Sequence, residues 1–228
     1  MFMFHWSALL LIPGLLLGLW AQQRVVSTFR RFAGVPAGNG LTGRETARRI
    51  LNASGLQDVA VERVPGQLSD HYDPVKRVVR LSEAVHDSAS VAAQGVAAHE
   101  CGHALQHQQG YAAMQWRWML LKPAGLGTTL GPWLVLGGFM FGQGGLLLVD
   151  IGIALFAFAV LFQIVTLPVE FNASRRAVAQ LQAVGVVAPQ DVQGVRTVLN
   201  AAGLTYVAAA ASAILSLVQL LIMRRERE

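Results

Sequence analysis

Ala98-His99-Glu100-Cys101-Gly102-His103-Ala104 sets two histidines four residues apart, with a glutamate beside the first. The run around it reads as helix. Residues four apart lie one above the other on one helical face, about one turn apart. The imidazoles of His99 and His103 can therefore take two neighbouring corners of a tetrahedral zinc ion. Glu100 is then placed to polarise a water in an open zinc position. A five-residue pattern also arises by chance, so its weight depends on its surroundings. Cys101 is the only cysteine of the chain, which rules out an internal disulfide. It occupies the variable third position, points off the histidine face and reads as a small apolar helix residue, not a ligand.

The chain has 228 residues, 54% of them hydrophobic and only 14% charged. Globular proteins carry about a quarter charged residues, and the deficit here is localised, which points to membrane spans around a smaller polar part. The net charge of +5 raises the question of nucleic acid. No aromatic-interleaved basic stripe, zinc-finger spacing or RNA-binding signature supports that partner, so no nucleic acid is expected. The lipid bilayer explains the charge better.

Four hydrophobic segments stand out against a requirement of about 20 residues per spanning helix. The first covers roughly Phe4 to Ala21 and is followed by Arg24, Arg30 and Arg31. It has no basic n-region and no small-x-small cleavage site, so it reads as an uncleaved anchor with its N-terminus outside. The second runs from about Gly125 to Phe141 and the third from about Leu146 to Leu167, with only Gly142-Gln143-Gly144-Gly145 between them, which predicts a tight hairpin. The fourth runs from about Ala201 to Met223 and ends in Arg224-Arg225-Glu226-Arg227-Glu228. The resulting organisation is an anchor at 1–23, a polar segment at 24–122, the hairpin at 123–167, a second polar segment at 168–199 and a last helix with its tail at 200–228. A hairpin returns the chain to the side it left, so both polar segments share one face. They hold twelve and three Lys/Arg respectively, and the positive-inside rule assigns their face to the cytoplasm.

Within the first polar segment, Leu41-Thr42-Gly43-Arg44-Glu45 is a capping box opening a helix that buries Ala47, Ile50 and Leu51 and stops at Gly55. Val59–Val64 and Arg77–Leu81 alternate as strands. Gly66 and Asp70-His71-Tyr72-Asp73-Pro74 between them read as loop. The helix carrying the two histidines is expected from about Ser88 to Gln109, ended by Gly110. This part is too small to be stable alone and must pack against membrane helices or a partner. Met114–Lys122 mixes aromatic, apolar and basic residues and suits the membrane interface.

A catalytic zinc needs a third protein ligand. His107 is four residues beyond His103 on the same helix, too far along a straight helix to close the site. His71 and Asp70 sit in the loop, either as ligands or as substrate-facing residues. His86 reads as a loop residue, and His5 falls on the other side of the membrane. Glu170 lies just after the third span, on the shared face. It is either the third ligand or an interfacial glutamate paired with Arg175 or Arg176.

Glu170-Phe171-x-Ala173-x-Arg175-x-Ala177 resembles the E-F-x-A-D-R-x-A element of HtpX-type integral-membrane metallopeptidases. More closely, a combination of motifs resembles the YugP-type family of neutral zinc metallopeptidases. These are Asp70-His71-Tyr72-Asp73-Pro74, Val79-Arg80-Leu81-Ser82, Val96-Ala97-Ala98-His99-Glu100-x-Gly102-His103-Ala104-x-Gln106, Glu170-Phe171-x-Ala173-Ser174-Arg175-Arg176-Ala177 and Leu204-Thr205-Tyr206-Val207-Ala208-Ala209. The resemblance spans most of the chain from Gly40 onward. It implies a mainly α, integral-membrane protein with about four transmembrane helices and a small α/β zincin-like domain on the HExxH helix. It also implies one zinc per chain on His99, His103 and Glu170, with Glu100 as the catalytic base. Where the HtpX-type element has an aspartate, this chain has Ser174. A carboxylate there would orient a zinc-bound histidine, a hydroxyl does so only weakly, and Asn172 is the other candidate for that task.

The function expected is a zinc metalloendopeptidase of the bacterial cytoplasmic membrane, its site on the cytoplasmic face. Its substrates would be membrane or membrane-adjacent proteins, with a homo-oligomer or a membrane-protein partner left open. Strand Arg77–Leu81 would offer an edge to an extended substrate, and Arg175 or Arg176 would support the oxyanion or meet a carboxylate or lipid phosphate. The alternative is a non-catalytic, zinc-containing membrane scaffold, which would have no need of Glu100.

Overall fold

The computed structural model describes residues 5–227. The start of the first expected span, at Phe4, and the terminal Glu228 lie outside the described residues. Among the described residues the architecture is mainly helical. In chain order the elements are α1 (Leu11–Ala33), α2 (Gly43–Ala53), β1 (Ala60–Val64), β2 (His71–Asp73), β3 (Val78–Ser82), α3 (Glu83–His86), α4 (Val91–Gln108), α5 (Ala112–Met140), α6 (Leu146–Ala183) and α7 (Val192–Arg225). The chain divides into two compact units. One comprises the described parts of Met1–Gln22, Ala112–Pro168 and Thr205–Glu228, the other Gln23–Tyr111 and Val169–Leu204.

The first unit is all helix. A 3-10 turn at Gly142–Gly145 joins α5 to α6, the tight hairpin that the glycine run predicts. A Cβ placed on Gly138 would meet the Gly145 carbonyl oxygen at 2.6 Å, so a side chain there would push the two helices apart. Val135, Phe139, Val149 and Ile153 are buried together, with Leu217, Leu220 and Met223 of α7 against them. Three described helical stretches are long and apolar enough to cross a membrane: Trp6–Ala33, Gly142–Ala183 and Val192–Arg225. The expected second span lies within α5, which is helical throughout but is not among the three. Gly125, Gly127, Thr128, Thr129, Gly131, Gly137 and Gly138 dilute its apolar character.

The second unit carries the mixed α/β part. Thr42 accepts from the Glu45 backbone while Glu45 reaches back to the Thr42 backbone, the reciprocal capping box expected there. Helix α2 buries Ala47, Ile50 and Leu51 completely, each large side chain contributing about 1.5–3 kcal/mol by leaving water. The sheet order is β1-β3-β2, with β1 parallel to β3 and β2 antiparallel to it. Two expectations are corrected here. Asp70–Pro74 is not all loop, because His71–Asp73 pairs with β3. The strand around Arg77–Leu81 has no open edge, because β1 and β2 flank it, and the edge strands are β1 and β2.

Ser90 caps α4 by accepting from the Ala93 backbone, and the helix is buried on almost every side. Its small residues permit this, since Ala92, Ala93, Ala97, Ala98, Cys101, Gly102 and Ala104 let neighbours approach all round. Ala177 and Leu181 of α6 and Val195 and Leu199 of α7 share one core with α2, the sheet and α4. The small polar domain thus completes its core with the C-terminal part of α6 and the N-terminal part of α7, meeting the need that its size imposes.

Candidate metal centre

His99 and His103 project from successive turns of α4, their rings edge to face with centroids 4.7 Å apart. Against them α6 brings Glu170. Its Oε2 lies 3.1 Å from His99 Nε2 and 3.4 Å from His103 Nε2. The three ligand atoms all lie within 4.8 Å of one another. For zinc bonds of about 2.0–2.2 Å, tetrahedral ligand atoms sit roughly 3.4 Å apart. The separations of 3.1 and 3.4 Å lie just below and at that edge length, so this donor set fits a zinc-sized ion. All three side chains are largely withdrawn from water, at 12%, 9% and 2% exposure for His99, His103 and Glu170. A buried carboxylate this close to two imidazoles calls for a compensating cation.

The helices come this close because of Gly102. A Cβ there would sit 2.5 Å from the Ala173 carbonyl oxygen of α6. The variable interior of the motif therefore holds a residue whose missing side chain sets the distance between the ligand-bearing helices.

The outer nitrogens of both rings are also held. His99 Nδ1 lies 3.1 Å from Ser174 Oγ, and His103 Nδ1 lies 3.0 Å from Gln106 Oε1. Ser174 thus meets a histidine despite its shorter reach. Asn172 acts one step further out, with its Oδ1 accepting from Gln106 and Arg176.

Glu100 is buried beside the cluster, and its carboxyl is pushed up to about 7. Burial is the largest cause, and the Glu170 and Asp70 carboxylates push the same way. The His99 charge and the Tyr72 backbone N–H oppose them. A carboxyl near neutrality is suited to take and return a proton.

The other candidates lie elsewhere. Asp70 accepts from the backbone and hydroxyl of Ser82, and burial raises its pKa. His71 donates from Nδ1 to the Ser69 carbonyl and is exposed. His107 meets the Tyr72 hydroxyl at 2.9 Å, and burial lowers its pKa. His86 pairs with Asp87, and His5 with Glu226. Cys101 points into the core with its Sγ toward the Ala47 carbonyl, and burial drives its thiol far above the ordinary range. Arg176 is spent on Asn172, Gln109 and the face of Tyr111, which takes it away from a developing oxyanion. Arg175 is exposed. Sequence reasoning gave no role to Gln106 or to the Tyr72 backbone. Gln106 follows His103 by three residues, a spacing that shares a helix face, whereas nothing in the sequence marks the Tyr72 N–H.

Residues 7–225 match the family described as "Putative neutral zinc metallopeptidase". This chain belongs to that family. Its curated relatives include the "Putative membrane protease YugP" of Bacillus subtilis (strain 168), 50% identical over 201 residues, 88% of either chain. No solved structure matches the chain. Within a chain of that family, His99, His103 and Glu170 form a group that could hold a metal ion.

Proposed function

We propose that this protein is a membrane-embedded zinc metalloendopeptidase, with His99, His103 and Glu170 holding one zinc ion and Glu100 acting as general base. One observation carries the reading. Two imidazole nitrogens and a carboxylate oxygen converge at zinc-compatible spacing beside a buried carboxyl poised near neutrality. Bound there, zinc supplies Lewis-acid chemistry, polarising a peptide carbonyl and acidifying a water. Glu100 takes the proton of the attacking water on its carboxylate and passes it to the nitrogen of the leaving amine. The low exposure of the cluster keeps bulk water from screening these charges.

Edge strand β2 is the place for an extended substrate. It flanks β3 on the side whose Tyr72 N–H faces Glu100, so a chain segment laid along it would run past the reacting centre. The apolar helices hold the enzyme in the bilayer, with α5 as a fourth crossing. The excess of arginine and lysine in the two polar segments puts the site on the cytoplasmic face of a bacterial inner membrane. Membrane and membrane-adjacent proteins are then the substrates within reach. A zinc scaffold would not require a buried base of this kind, so the scaffold reading is the weaker one.

Cleavage of unfolded casein by the purified, zinc-loaded protein tests this. Wild type should cleave, and Glu100→Gln should lose at least about 100-fold in turnover, as expected on removing a general base. Equal turnover in the two proteins would remove Glu100 from the mechanism.

A further inference from the structure

The two histidines of the cluster are held by unlike partners. Ser174 presents a hydroxyl to His99 Nδ1, and a hydroxyl donates or accepts as required. It therefore leaves the tautomer of His99 open. Gln106 does not leave that choice to His103. Its side chain is fully buried, and one end of its amide lies 2.7 Å from the Val169 carbonyl oxygen and 3.0 Å from Asn172 Oδ1. A backbone carbonyl only accepts, so the NH2 group of Gln106 must face Val169 and its oxygen must face His103. That oxygen in turn only accepts, so Nδ1 of His103 must carry the hydrogen. Neutral imidazole has a single N–H, which leaves the lone pair on Nε2, the atom aimed at Glu170.

The chain of bonds continues outward without ambiguity. Asn172 Oδ1 receives Gln106 Nε2 and also Arg176 Nε at 2.6 Å. Arg176 has donors only, which fixes the Asn172 amide as well. Arg176 is itself steadied by Gln109 and the ring of Tyr111. Donation by the Gln106 NH2 group polarises its carbonyl and makes it a stronger acceptor for His103. Val169, the residue next to Glu170, is tied to α4 by the same amide.

We propose that Gln106 is the positioning residue for His103, setting its ring tautomer and fixing α4 to α6 beside Glu170, with Asn172 and Arg176 holding the amide in place. This rests on the reading of His99, His103 and Glu170 as the metal site. Gln106 touches neither substrate nor metal in this role.

The test is zinc affinity of the full-length protein in detergent, measured by chelator competition, with the absorption spectrum of the cobalt-substituted protein as a second readout. Gln106→Leu should weaken zinc roughly 10–100-fold, the range for lost outer partners of metal-bound histidines. It should also shift the cobalt bands, because the His103 ring turns. Ser174→Ala should cost less than Gln106→Leu, since Ser174 imposes no tautomer. Should Gln106→Leu not fold, Asn172→Ala takes its place and should weaken zinc roughly 10-fold, the low end of the same range. Unchanged zinc affinity and cobalt spectrum in these variants, with binding abolished in His103→Ala, would overturn the proposal and leave the site standing. Wild-type affinity in His103→Ala would overturn the site and the proposal together.

Discussion

Gly102 sits between the two histidines and faces the backbone of α6 at Ala173, midway in the stretch that supplies Glu170 and Ser174. Gly102→Ala would force a methyl group to within 2.5 Å of a carbonyl oxygen that cannot swing aside. Overpacking of this kind costs roughly 1–3 kcal/mol. The substitution should lower both the melting temperature and the zinc affinity, because α6 carries a ligand away as it moves. Gly95→Ala on the same helix is the control, since its Cβ would come no closer than 3.4 Å to any atom of Val195, an ordinary van der Waals contact. Its zinc affinity should match wild type, and equal losses in both variants would deny Gly102 a special place. At this scale the sequence was most legible where the chemistry is local. His99, Glu100 and His103 follow from spacing on one helix. Glu170 is joined to them by tertiary structure; its place after the third span made it a candidate, and the family resemblance favoured it as a ligand over an interfacial glutamate. Gln106 carried a spacing signal with no partner to interpret it.

Among the elements, the capping box of α2 was readable because both halves of the interaction lie within four residues. Thr42→Ala should destabilise the protein by about 1 kcal/mol while leaving zinc affinity unchanged, since α2 supplies no ligand. Calorimetry and chelator competition on the same sample check both halves. The β2 strand was not legible. It has three residues, two of them polar and one half-exposed, and no alternation long enough to register. Its strand geometry comes from pairing with β3 rather than from its own composition. The consequence is that the free edge on this side of the sheet belongs to β2 and not to β3. Helix α5 shows the opposite problem. Its helical nature was clear, but its glycines and threonines leave it short of the apolarity that marks the other three stretches.

At the scale of the whole molecule, the chain interleaves its two units. The first helix, α6 and α7 each contribute residues to both, so the apolar helices and the α/β part are not consecutive domains. Sequence order disguised this, because hydropathy marks where apolar runs begin and end and says little about which half of a long helix completes a distant core. The same interleaving brings Glu170 to the histidines across 71 positions. Metal held there links α4 to α6, so zinc should stabilise the folded protein in proportion to its affinity, and a chelator should remove that increment. The most direct test is the zinc content of the purified chain, measured by elemental analysis for wild type and Glu170→Ala under identical dialysis. Wild type should retain one zinc per chain and Glu170→Ala close to none. A full complement of zinc in Glu170→Ala would contradict a site built from His99, His103 and Glu170.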